Sequence, residues 1–116
     1  MSEREPERAD YQRDLSVSCS NVGGIYRATG GGDKALEYYL RDLKIMEDLV
    51  AREPERADYQ VDLAISCWNI FLVCRKEDET LWLRKAHSIL QPMKEKGVVH
   101  GQLDRLLGLV ERELNK

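Results

Sequence analysis

The stretch EPERADYQ fills residues 5–12 and returns, letter for letter, at residues 53–60. Widening the comparison, Arg4–Asn21 and Arg52–Asn69 agree at 14 of 18 positions, at an offset of 48 residues. The four differences are Arg13/Val61, Ser16/Ala64, Val17/Ile65 and Ser20/Trp68. Past Asn21 the copies keep chemical type for a few residues (Val22/Ile70, Ile25/Val73, Arg27/Arg75) and then diverge. Identity that extends to surface letters marks a duplicated structural unit.

Each unit has a helical period. Tyr11, Leu15, Cys19, Val22 and Tyr26 step by four, four, three and four, which lines one face of a helix with apolar groups. Tyr59, Leu63, Cys67, Ile70 and Cys74 repeat that stripe. Pro6 and Pro54 suit the first turn of a helix, where their missing N–H is no loss, and the glutamates beside them suit its positive end. Thr29-Gly30-Gly31-Gly32 predicts a stop, with Asp33 capping a second helix whose stripe is Ala35, Tyr39, Leu43, Met46 and Leu49. In the second unit the turn is expected at Lys76–Thr80, with Thr80 as cap, before a helix carrying Leu83, Ala86, Leu90 and Met93. Pro92 is expected to kink that helix or end it early. After Gly97, residues Leu103, Leu106, Leu107, Val110 and Leu114 make a fifth helix with one apolar side, suited to closing a stack of hairpins.

Bulk properties narrow the function. The net charge of −3 arises from 21 acids and 18 bases that are interspersed, so no basic face offers itself to nucleic acid. No apolar run approaches the ~20 residues of a membrane span, and MSEREPER is too charged for a signal peptide. Cys19, Cys67 and Cys74 are odd in number and lack metal-type spacing, which predicts reduced thiols and a cytoplasmic location. His87 and His100 have no partner at ligand spacing, and Gly30-Gly31-Gly32-Asp33-Lys34 lacks the phosphate-cradle arrangement. No nucleophile–base constellation is suggested, and Asp14 and Asp62 read as solvated helix faces. Binding rather than catalysis, with no cofactor and no metal, is the expectation.

The first unit resembles a tetratricopeptide repeat: Cys19-x2-Val22-Gly23-x2-Tyr26 is followed nine residues later by Ala35-x3-Tyr39, with a turn at Gly30–Asp33 between. Cys19 stands where that family has tryptophan, and the spacing of 48 exceeds the usual ~34. The chain is also similar to the long-period bacterial subgroup, in which segments like DYQRDLSVS (10–18) alternate with segments like ALEYYLRDLKI (35–45). In the second unit Phe71 occupies the site of Gly23, and Leu83 that of Ala35 unless a turn about three residues longer brings Ala86 there. The resemblance implies an all-α fold. It would be an α-solenoid of two tetratricopeptide-like hairpins (5–52 and 53–96) and a capping helix (101–116), five helices in one domain over residues 1–116.

That resemblance also implies an activity, holding a partner's peptide or helix in the groove lined by the first helix of each hairpin, as a scaffold or adaptor in bacterial signalling. Carried over by position, the groove receives Val17, Ser20, Asn21, Gly24 and Arg27 from the first unit. Ile65, Trp68, Asn69, Leu72 and Arg75 come from the second. Asn21 and Asn69 match asparagines that hold a peptide backbone or terminal carboxylate, but the lysines of that clamp are missing. Trp68 lies off its helix stripe and serves either as an interface anchor or as packing under the closing helix. Arg27 and Arg75 pair with partner carboxylates or with local acids. Two hairpins leave the first unit's outer edge uncovered, so the alternative is a homo-oligomerisation unit, or a fragment of a longer array, that assembles through that edge.

Overall fold

The structure, a computed structural model, describes residues 8–116. The expected helix start at Pro6 lies outside them. Helix α1 (Ala9–Ala28) ends where Gly30 takes φ +87°, a conformation open to glycine, and the Gly31 N–H closes on the Tyr26 carbonyl at 2.7 Å. Helix α2 (Gly32–Arg52) follows at once. Asp33, the expected cap, lies inside its first turn; Gly31 is the N-cap and no side chain bonds there.

Pro54 is not in the first turn of the next helix. The Glu53 N–H still bonds the Leu49 carbonyl of α2 at 3.0 Å, and the Arg56 N–H returns to the Glu53 carbonyl at 3.1 Å. Pro54 and Glu55 therefore form the corner between helices, and the Gln60 side-chain amide donates to the Pro54 carbonyl. Helix α3 begins only at Ala57 and ends at Phe71, giving 15 residues against the 20 of α1.

The last residue of α3, Phe71, stands where the first unit has Gly23. A Cβ added to Gly23 would lie 2.7 Å from the Tyr39 ring, so in the first hairpin the bare backbone lets α1 and α2 close together. Phe71 stands at that position in the second unit and cannot do the same. Its ring lies against Trp68, centroids 5.0 Å apart, and Leu72 still has helical dihedrals before the chain turns off. A single 3₁₀ turn at Lys76–Asp78 leads into α4 (Glu79–Glu95), so Thr80 is inside the helix rather than its cap. The turn is longer than in the first unit, and Ala86 is fully buried, as Ala35 is. Helix α4 runs three residues past Pro92. So close to the C-terminus the proline removes one hydrogen bond and little else.

Gly97 at φ +78° turns the chain toward α5 (Leu103–Leu114), which Lys94–Asp104 (2.6 Å) and His87–Glu111 (3.2 Å) tie to α4. The fold is all-α, five helices with no strand among the described residues, and each helix packs chiefly on its neighbours in sequence. Its largest core joins Val61, Ala64 and Cys67 of α3, Leu83, Ala86 and Leu90 of α4, and Leu103, Leu106 and Val110 of α5. Trp68 and Trp82 both pack against that core. Two smaller clusters, Ala35–Tyr39–Ile70 and Met46–Leu49–Tyr59, join the hairpins. No helix among the described residues is long and apolar enough to cross a membrane.

Candidate functional site

Arg13, Ser16, Val17 and Ser20 are the four positions within residues 4–21 at which the copies differ, and their spacing puts them on one face of α1. All four line a cavity of about 120 Å³ between α1 and α3, with Asn21, Asp42, Asp62 and Ile65 as the other walls. On α3 the matching positions are apolar for a visible reason. Val61 and Ala64 are buried, and Ile65 and Trp68 partly so, against the core shared with α5. On α1 the polar letters instead reach α3 through Arg13–Asp62 and Ser20–Asn69.

At the base of the cavity Asp42 of α2 is 3% exposed. Ser16 Oγ donates to Oδ1, and Ser66 Oγ donates to Oδ2 at 2.8 Å. Burial pushes the Asp42 carboxyl above its ordinary range; the two serine bonds offset this in part, and the nearby Asp62 charge adds to it. Ser66 has one proton for two acceptors, since the Asp62 carbonyl also lies 3.1 Å from its Oγ. Above, Arg13 Nε meets Asp62 Oδ2 at 2.8 Å, and that bond raises the arginine further. Asn69 Nδ2 donates to Ser20 Oγ at 3.4 Å.

Of the ten residues expected in the groove, Val17, Ser20, Asn21 and Ile65 converge on this cavity, and Asn69 joins through Ser20. Val17 and Asn21 are exposed at its rim. Gly24 follows one turn on, beside the Tyr39 hydroxyl, and Arg27 is exposed in the last turn of α1 without an ion pair among the described residues. Ile65 also faces a second hollow toward α5, beside Arg105 and Leu109. Trp68 is half-buried on Phe71 and the closing core. Leu72 and Arg75 lie past the last residue of α3. With α3 ended at Phe71 they fall in the loop, where Arg75 pairs with Asp78 (3.3 Å) and Glu77 (3.6 Å).

Sequence reasoning passed over Arg13, Asp42 and Asp62 as site residues. Signals for them existed: the four divergent positions share one helix face, and Asp42 sits three residues after Tyr39 and four before Met46, inside the apolar stripe. The cysteines stand apart from the cavity. Cys67 is buried with its thiol pushed up to about 12, and burial raises Cys19 and Cys74 as well, so all three are protonated, weak nucleophiles at neutral pH. Among the described residues no three His, Cys, Asp or Glu side chains gather as a metal site requires. No family model, curated protein or solved structure matches the chain.

Proposed function

We propose that this chain is a protein-interaction module of tetratricopeptide type, its hairpins stacked as a short solenoid, and that it holds a partner peptide or helix along the groove between α1 and α3. One observation carries the reading: side chains from both copies, chosen by position in the repeat, converge on a single hollow with a mixed lining. Val17 and Ile65 offer apolar contact, Ser20 and Asn21 offer hydrogen bonds, and the Arg13–Asp62 pair offers charge of both signs. Such a lining suits recognition of a chain with alternating character better than proton or group transfer. Protonated thiols without disulfides fit a cytoplasmic scaffold or adaptor.

The test is a double variant, Val17→Asp with Asn21→Ala. Both side chains are exposed, so helical circular dichroism and the unfolding midpoint should not move. Affinity for the partner, identified by pull-down and then measured by calorimetry, should fall at least about tenfold, roughly 1.4 kcal/mol. Unchanged affinity would remove the groove from the account.

A further inference from the structure

The molecule contains a worked example of how its hairpins are received. On α3, Tyr59 is buried beside Met46 and Leu49, Asp62 pairs with Arg13, Ser66 bonds Asp42, and Asn69 bonds Ser20. The sequence writes the same receiving residues on α1 as Tyr11, Asp14, Ser18 and Asn21, with Leu15 matching Leu63. There all five are exposed. Beside them runs an apolar trough of about 460 Å³ between α1 and α2, walled by Leu15, Cys19, Leu40 and Ile45, with Arg41 and Lys44 at its rim. The corresponding trough of the second hairpin, at Leu63, Cys67, Lys85 and Ile89, is where Leu43 and Glu47 of α2 enter. What occupies the filled trough therefore specifies what fits the open one, down to an acid opposite its basic rim.

We propose that this outer face of the first hairpin docks a partner helical hairpin carrying the first unit's own contact chemistry. One helix presents an arginine and two serines at the spacing of Arg13, Ser16 and Ser20. The other presents an aspartate, leucine and glutamate at the spacing of Asp42, Leu43 and Glu47. A second copy of this chain does not supply that surface, because its own is already closed under α3. Its α5 turns Asp104, Arg105, Glu111 and Arg112 outward instead. The proposal does not rest on the groove reading: of its receiving residues only Asn21 also lines the groove, and the variants below change Asp14 and Ser18 instead.

The probe is the full chain lengthened by one more copy of residues 5–52 placed ahead of residue 5, which makes the natural α1 internal at the natural 48-residue offset. Amide hydrogen exchange across natural residues 11–22 should slow at least about tenfold and approach that of α3. Asp14→Ala with Ser18→Ala in the internal copy should reverse the gain. An added copy bearing Arg13→Val, Ser16→Ala and Ser20→Trp should give none. Unchanged exchange in the lengthened chain overturns the proposal, and so does equal protection by the altered copy. Dimerisation of the natural chain in sedimentation, with α1 protected, overturns it as well and assigns the face to self-association.

Discussion

Helices α1 and α3 are spelled nearly alike and live in opposite surroundings. Tyr11 is 52% exposed and Tyr59 2%; Leu15 is open while Leu63 packs in the seam between hairpins. The shared letters set helix, register and which residues share a face, and the neighbour then decides what each letter contributes. Where the letters differ, the neighbours differ too: α1 turns Arg13, Ser16 and Ser20 to a polar flank, and α3 turns Val61, Ala64 and Trp68 to the leucines of α5. Within the matched segments 4–21 and 52–69 the template is edited only at the joints.

The largest effect that would break this contrast lies in the matched tyrosines. Tyr59→Ala empties a buried ring site and should cost about 3–5 kcal/mol, whereas Tyr11→Ala should stay within about 0.5 kcal/mol. Urea titration of both variants decides it; equal losses would mean that α1 is covered after all. Next come adjacent glycines. Gly23→Ala drives a methyl into the Tyr39 ring and should cost about 1–3 kcal/mol. Gly24→Ala meets nothing closer than 3.7 Å and should gain about 0.5–1 kcal/mol of helix propensity, read from thermal midpoints. Smaller again is Arg13→Val, which gives α1 the α3 letter. It removes a partly exposed ion pair, so about 0.5–1 kcal/mol should be lost at low salt and less at high salt.

Asp42→Asn changes a slope rather than a level. The native carboxyl titrates above its unfolded value because burial disfavours its charge. Between those two values the folded state binds more protons than the unfolded one, so stability falls as pH rises through that window. Denaturant midpoints of the natural chain, measured relative to Asp42→Asn, should therefore climb as pH is lowered from neutrality toward the ordinary aspartate range. A flat difference would mean that Asp42 holds a charge the serines fully compensate.

Much of this architecture was legible in the residues. Apolar periodicity located all five helices, and Gly30 and Gly97 fall where the chain turns, because positive φ selects glycine. What escaped were features decided by contact between distant residues. Pro54 reads as a helix start, but the Glu53 N–H belongs to α2 and the proline becomes a corner. Phe71 reads as a bulky residue at the site of Gly23, but that reading does not say that α3 ends there and leaves Leu72 and Arg75 in the loop. Asp42 is a third case. Its place in the apolar stripe predicts burial, but its serine partners lie 26 and 24 residues away on two other helices.

The placement of Trp68 and Trp82, both against the α3–α5 core, has a practical consequence. Four of the five tyrosines, Tyr11, Tyr26, Tyr38 and Tyr39, belong to the first hairpin, so with Tyr59 on α3 replaced by phenylalanine, indole and phenol emission label different halves of one molecule. Unfolding followed by the two colours should superimpose if both halves melt as one. A tyrosine signal that changes first would show the leading hairpin peeling away while the tail stays intact.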